Sequence, residues 1–199
     1  MLKKRTKNIL YVLAGILIFA ILYALKNTTY FLRALGFVFF IFLFFIIDYL
    51  FNLGFKKHHY LIVILLSTAG VLLSPLYFIS PNYDKILHFI SPFLIAILIF
   101  FLVDKLKTEF SIKLVITLAI VISLLAIFEI GEYLLDQLFD LKLQGVYLRD
   151  YTGIAKLNII QDRNDDTMID LILGTIGSLL FVLWKTAVFH YNKIRISLK

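Results

Sequence analysis

The chain has 199 residues, 61% of them hydrophobic, and its mean hydropathy is +0.94. A soluble domain of this length does not contain so much apolar sequence, so the composition predicts an integral membrane protein associated with a lipid bilayer. The absence of cysteine excludes disulfides and thiolate metal sites, and the net charge of +7 follows a membrane-topology pattern, so we expect no nucleic-acid partner.

Six apolar runs are each about long enough to cross a hydrocarbon layer of roughly 30 Å as a helix. They cover residues 9–25, 34–51, 60–79, 86–103, 112–135 and 167–189. None shows the alternation of apolar and polar residues that is typical of a membrane β-barrel. The sequence therefore predicts an all-α fold, a polytopic helix bundle with about six transmembrane helices, in a single integral membrane domain over residues 1–199.

The first run follows a basic segment and so resembles a secretory signal peptide. It is longer than the usual apolar core, and no small-residue cleavage motif follows it, so we expect it to be retained as a span. Most of the basic residues in short connections then fall on the same side as this segment, including Lys56, Lys57, Lys105 and Lys107. This asymmetry predicts cytoplasmic N- and C-termini in a multi-pass protein of the plasma (cytoplasmic) membrane.

The connection over residues 136–166 is the long outer loop in this topology. It alternates apolar and charged residues, and Gly145 and Gly153 interrupt it. Such a segment can lie on the membrane surface or fold over a site as a lid. A mobile surface loop explains the same pattern equally well, so the alternatives stay open.

Five ionisable residues lie inside or at the rim of the last three runs: His88, Glu129, Glu132, Asp166 and Asp170. In the predicted topology they all lie within roughly 10 Å of the outer boundary, counting 1.5 Å per helical residue. A charged group in hydrocarbon costs several kcal/mol, so it usually faces a partner, water or a metal ion. If these runs pack together, one pocket facing the extracytoplasmic side collects all five side chains.

This inventory of carboxylates and one imidazole predicts a divalent metal site. Carboxylates favour Mg²⁺ or Mn²⁺, and an added imidazole admits Zn²⁺ or Fe²⁺. The predicted ligands are His88, Glu129, Glu132, Asp166 and Asp170. The predicted rim consists of Tyr83, Asp84, Asp162 and Arg163. Bound protons, or mutual ion pairing with nearby cations, are the alternatives to a metal ion.

Three motifs in this part of the chain resemble a known family. Residues 83–89 read Y-D-K-I-L-H-F, residues 129–132 read E-I-G-E, and residues 166–170 read D-T-M-I-D. They are similar to motifs of the YjdF-type integral membrane proteins (DUF2238), a family without an assigned reaction. Tyr133 stands where that family usually has tryptophan. The VanZ-like membrane proteins are similar more distantly, through a D-K-x-x-H-F helix.

The first functional hypothesis is a metal-dependent enzyme that acts on a lipid or lipid-linked substrate. Glu132 or Asp166 would act as general base toward a metal-activated water. Tyr83, Lys85 and Arg163 would orient a phosphate or stabilise negative charge that develops during the reaction. Two other hypotheses remain open: a proton- or cation-coupled transporter, and a non-catalytic module whose acidic cluster only joins helices.

Overall fold

The computed structural model describes residues 28–149 and 157–197, together with Ile16. The helices and strands of the two longer ranges are named here in chain order. They are α1 (Thr28–Leu50), α2 (Lys57–Ser67), α3 (Tyr83–Val103), α4 (Phe110–Phe139), β1 (Val146–Arg149), β2 (Leu157–Gln161) and α5 (Arg163–Ser197). A π-helical turn, Thr68–Leu72, and a 3₁₀ helix, Ser74–Phe78, lie between α2 and α3.

Four helices in the described ranges are long and apolar enough to cross a membrane. They are Arg33–Leu50 within α1, and the whole of α3, α4 and α5. These helices correspond to the predicted spans 34–51, 86–103, 112–135 and 167–189. The predicted span 9–25 lies outside the described residues, apart from Ile16. The total of six spans and the side on which the termini lie therefore remain predictions.

The predicted span 60–79 differs from the structure. Helix α2 ends at Ser67, and the backbone continues through the π-helical turn and the 3₁₀ helix instead of one α-helix. The Thr68 hydroxyl donates a 2.7 Å hydrogen bond to the carbonyl of Ile64 where α2 ends. Pro75 has no N–H with which to continue a helical ladder. The division of this apolar run into short helical pieces was not predicted.

The chain divides into two compact units, and the first ends at Pro75. Within it, Asp48 near the end of α1 accepts hydrogen bonds from the Phe55 backbone N–H, at 3.1 Å, and from the Tyr60 hydroxyl. The Phe44 ring packs 4.7 Å from Phe55 and 5.2 Å from Tyr60. These contacts hold α1 against α2. The single domain over residues 1–199 stays a prediction.

The second unit begins at Leu76 and contains α3, α4 and α5. Its buried core consists of Ala96, Phe100, Leu114, Val121 and Phe181. Helix α3 makes its most extensive contact with α5. A Cβ atom at Gly177 would lie 2.1 Å from the Phe89 carbonyl oxygen, so glycine permits this close approach. The approach brings the start of α3, with His88, beside the start of α5.

The predicted loop 136–166 is shorter and more regular than expected. Helix α4 continues to Phe139, and α5 already begins at Arg163. Between them, β1 and β2 pair antiparallel, with Tyr147 opposite Ile159. The sequence interpretation did not predict these strands, because no two-residue turn signal separates them.

Candidate functional site

Charged and polar side chains collect at one end of the second unit, where α3 begins, α4 ends and α5 begins. His88, Glu129, Asp136, Asp166 and Asp170 are buried there. Asp84, Lys85 and Glu132 are partly exposed. These eight residues are called the polar cluster below. The chain direction alternates from α3 to α4 and from α4 to α5, so the start of α3, the end of α4 and the start of α5 lie at the same end.

Three members of the polar cluster are arranged as a candidate metal group. The Nε2 atom of His88 lies 3.5 Å from Asp84 Oδ1 and 4.0 Å from Asp170 Oδ2. One ligand atom from each of the three residues lies within 4.8 Å of the other two. Ligands bonded at about 2.1 Å around a tetrahedral ion are separated by roughly 3.4 Å. One imidazole and two carboxylates at these distances fit a small divalent cation.

The second imidazole nitrogen of His88 faces a carboxylate. Its Nδ1 atom lies 3.5 Å from Glu129 Oε1, and Glu129 is only 4% exposed. Neither oxygen of Glu129 accepts a hydrogen bond from the residues that the structure describes. A histidine that binds a metal usually donates its other ring N–H to such an acceptor. Glu129 is therefore placed to orient His88, whereas the sequence had predicted it to be a ligand.

Lys85 lies among three of the carboxylates. Its ammonium group forms an ion pair with Asp166 and lies 3.2 and 3.4 Å from the two oxygens of Asp170. It also lies 3.6 Å from Asp84 Oδ2. Lys85 compensates part of the negative charge, and it shares Asp170 with the candidate metal group.

Asp166 has partners at both carboxylate oxygens. Oδ1 accepts from Lys85, and Oδ2 accepts a 2.7 Å hydrogen bond from the backbone N–H of Gly145. Asp166 is therefore outside the candidate metal group, although the sequence predicted it as a ligand. In the structure it fixes both the Lys85 ammonium and the chain after α4.

Residues 140–145, called the covering segment, follow α4 directly and hydrogen-bond to the ends of α4 and α5. The backbone N–H groups of Leu143 and Gln144 donate to the two oxygens of Asp136, at 2.8 and 3.0 Å. The Gln144 side chain donates a further 3.0 Å hydrogen bond to the Thr167 hydroxyl of α5. Two carboxylates and one hydroxyl of the two helices, those of Asp136, Asp166 and Thr167, thus hold this segment against the ends of α4 and α5.

The local backbone explains why the covering segment turns so sharply. Asp140, Lys142 and Gly145 all have positive φ angles, of 52°, 60° and 92°. At Gly145 a Cβ atom would lie 3.1 Å from the Tyr147 ring and 3.2 Å from the Gln161 carbonyl, so glycine suits this position. A hydrogen bond from Lys142 lowers the pKa of the exposed Asp140 carboxyl.

Two predicted residues occupy positions close to the polar cluster. Glu132 lies one turn along α4 from Glu129, is half-buried, and has no hydrogen bond or ion pair with a described residue. The ring of Tyr83, at the start of α3, packs 5.1 Å from the Tyr77 ring. Glu132 thus remains available for chemistry at the site.

The other two predicted rim residues have different surroundings. Asp162 Oδ1 accepts from the backbone N–H groups of Asn164 and Asp165, at 2.9 and 3.0 Å, so this residue caps α5. Asp166 lies within the first turn of the same helix. Arg163 is exposed and lies 3.9 Å from Asp140.

Sequence reasoning missed the contribution of Asp136 and Gln144 to this site. The i,i+4 spacing of Glu132 and Asp136 was a visible signal for Asp136, because it places both on one helix face. No such signal marked Gln144, since its hydrogen bonds to Asp136 and Thr167 depend on the path of the backbone after α4.

Membrane-length helices and a buried cluster of His, Lys, Asp and Glu define a multi-pass helical membrane protein with a polar site at one end of a three-helix unit. A family model described as "Predicted membrane protein (DUF2238)" matches residues 6–191. The chain belongs to this family, which confirms the motif resemblance. No curated protein and no solved structure matches the chain. The more distant likeness to VanZ-like proteins stays a prediction.

Proposed function

We propose that this protein is a metal-dependent membrane enzyme that acts on a lipid or lipid-linked substrate, with a divalent ion held by Asp84, His88 and Asp170. One observation carries the proposal: carboxylate oxygens of Asp84 and Asp170 lie 3.5 and 4.0 Å from His88 Nε2, while Glu129 faces the other ring nitrogen. This is the donor arrangement of a metal site with an orienting carboxylate.

The chemistry follows from the remaining residues of the polar cluster. A divalent ion bound there would supply an activated water and polarise an ester or phosphate oxygen. Glu132, which has no partner among the described residues, is the candidate general base. Lys85 is the candidate group for binding negative charge on the substrate, and Asp166 holds its ammonium in position. We therefore assign Asp166 a positioning role instead of a catalytic one.

The charge distribution of the second unit supports a site on the extracytoplasmic side of the plasma membrane. Lys105, Lys107 and Lys113 lie around the turn between α3 and α4, at the end opposite the polar cluster. Lys193 and Arg195 lie at the corresponding end of α5. The positive-inside rule assigns this end to the cytoplasm, and the polar cluster then faces outward.

A proton- or cation-coupled transporter is the second candidate, and one observation favours it. The buried Glu129 carboxyl accepts no hydrogen bond from a described residue in this geometry and faces His88 Nδ1 at 3.5 Å, an arrangement in which a proton can pass between the two groups. The rest of the bundle supports the enzyme instead. Among the described residues of the second unit, no buried charged residue lies beyond the cluster, where the core is Ala96, Phe100, Leu114, Val121 and Phe181.

Metal analysis of the purified full-length protein tests the proposal. The protein is reloaded with Mg²⁺, Mn²⁺, Zn²⁺ or Fe²⁺ in separate samples, and free metal is then removed. We expect stoichiometric retention of one of these ions by the wild type and loss of it in His88→Gln and Asp170→Asn. The exposed Asp140→Asn is the matched control and should retain the ion.

Two outcomes would contradict the enzyme proposal. A wild-type protein that retains no ion after reloading has no metal site at the polar cluster. Ion flux in liposomes that is lost in Glu129→Gln would support the transporter. Thermal melting of each variant, in the same detergent, shows whether loss of the ion reflects loss of the fold.

A further inference from the structure

The ammonium group of Lys85 contacts both carboxylates of the candidate metal group. It lies 3.2 and 3.4 Å from the two oxygens of Asp170, and 3.6 Å from Oδ2 of Asp84. The Nε2 atom of His88 lies 3.5 Å from the other oxygen of Asp84 and 4.0 Å from Asp170 Oδ2. Each carboxylate is therefore shared between the imidazole and the ammonium group, so a cation that binds to both carboxylates competes with Lys85.

The burial of these groups makes the competition strong. The side chain of Lys85 is 16% exposed, and that of Asp170 is 1% exposed. Because little water screens charges there, attraction and repulsion between them are stronger than at the protein surface. A cation that enters between Asp84 and Asp170 would repel the nearby ammonium group. It can bind both carboxylates only if the ammonium group moves away.

Asp166 provides a position to which the ammonium group can withdraw. It already forms an ion pair with Lys85, and its other oxygen accepts a hydrogen bond from the backbone N–H of Gly145. It lies one helical turn from Asp170 on α5, outside the candidate metal group. Lys85 can therefore leave Asp170 and keep Asp166, so the exchange leaves no buried charge without a partner.

We propose that Lys85 reserves the candidate metal group for divalent ions, as a tethered monovalent cation that an entering ion must displace. This inference rests on the proposed function, since it concerns the same ion site. A sodium or potassium ion has the same single charge as the ammonium group, so it gains no additional attraction to Asp84 and Asp170. A divalent ion attracts each carboxylate about twice as strongly at the same distance, which can offset the displacement of Lys85.

Chelator competition on the purified full-length protein tests this proposal, with Mg²⁺, Mn²⁺, Zn²⁺ or Fe²⁺ alone as the probe. Lys85→Met removes the charge and keeps an unbranched side chain. We expect this variant to bind the divalent ion about tenfold more tightly than the wild type, because the competing cation is gone. Sodium chloride should weaken that binding more than an equal concentration of choline chloride, whose bulky cation controls for ionic strength. The wild type should bind the ion equally in both salts.

Lys113→Met is the matched control, because Lys113 forms a 2.9 Å ion pair with Asp104 outside the polar cluster. It should keep the wild-type affinity and the wild-type response to both salts. A second measurement requires no substitution: lysines of the wild-type protein are acetylated with and without the ion, and the products are quantified by mass spectrometry. Ion binding should accelerate acetylation of Lys85, which loses two carboxylate partners, and leave the rate at Lys113 unchanged.

The outcomes separate this inference from the proposed function. If neither the wild type nor Lys85→Met binds a divalent ion, both are overturned. If the wild type binds an ion and Lys85→Met binds it no more tightly, the inference about Lys85 alone is overturned. Acetylation of Lys85 that is unchanged or slower with the ion bound also overturns it. Melting curves in the same detergent establish that Lys85→Met is folded, and if it is unfolded the acetylation of the wild type decides.

Discussion

Substitution of Gly177 by alanine tests how closely the helices of the polar site must approach. The added Cβ would lie 2.1 Å from the backbone oxygen of Phe89, whereas ordinary contact begins at 3.4 Å. The neighbour is backbone and cannot rotate away, so α3 and α5 would have to separate by about 1.3 Å at this point. The same helix pair carries His88 and Asp170, so the candidate metal group would be strained as well.

The expected destabilisation can be estimated from two opposing effects. Overpacking of a close contact typically lowers the free energy of unfolding by about 1–3 kcal/mol, and we assign a clash with rigid backbone to the upper end of that range, about 3 kcal/mol. Replacing glycine by alanine inside a helix contributes roughly 0.5–1 kcal/mol in the other direction. We therefore expect Gly177→Ala to lower the free energy of unfolding by about 2 kcal/mol and to weaken metal retention.

Gly131→Ala is the matched control because a Cβ at Gly131 meets no atom within 4 Å. It should leave stability unchanged or raise it by up to about 1 kcal/mol. Both variants are compared with the wild type by reversible denaturant unfolding in micelles. A Gly177→Ala protein as stable as Gly131→Ala would refute the close helix contact and, with it, the relative placement of His88 and Asp170.

Three further substitutions test individual roles. Glu129→Gln should weaken divalent-ion affinity by about 10–100-fold in a chelator competition, because it replaces the charged carboxylate that faces the imidazole N–H with a neutral amide, a weaker acceptor; an unchanged affinity would contradict that role. Asp136→Asn should accelerate hydrogen exchange at the backbone amide of Gln144 and lower the free energy of unfolding by about 1–3 kcal/mol. Exchange at the wild-type rate would show that Asp136 does not hold the covering segment. Asp162→Ala should cost about 1 kcal/mol as a lost helix cap but leave metal content unchanged; loss of the ion would show that Asp162 is a ligand.

The helices were predictable from the sequence because a run of about 20 apolar residues leaves few alternatives in a bilayer. The break inside the predicted span 60–79 was not predictable from the sequence, since hydropathy does not distinguish an α-helix from π or 3₁₀ turns. Ser67 and Thr68 are compatible with either, and only the backbone shows where α2 ends. The pairing of β1 with β2 was missed because the residues between the two strands include charged residues and contain no short turn signal.

The candidate site was predictable as a set of residues but not as a set of roles. Apolar context identified His88 and Asp170 because ionisable groups in such runs need partners. Asp84 was assigned to the rim, although its i,i+4 spacing from His88 was visible, because the position of α5 decides which face of α3 is enclosed. The pairing of Lys85 with Asp166 likewise depends on the contact between helices that are far apart in the sequence.

The partners of the acidic residues separate two kinds of function within one cluster. Asp136 and Asp166 accept from backbone N–H groups of the covering segment, so their carboxylates stabilise a local fold. Asp84 and Asp170 face only side chains among their described polar contacts, namely Lys85 and His88. A carboxylate whose partners are side chains can exchange them for a cation without unfolding the backbone, which supports the proposal that a metal ion binds at Asp84 and Asp170.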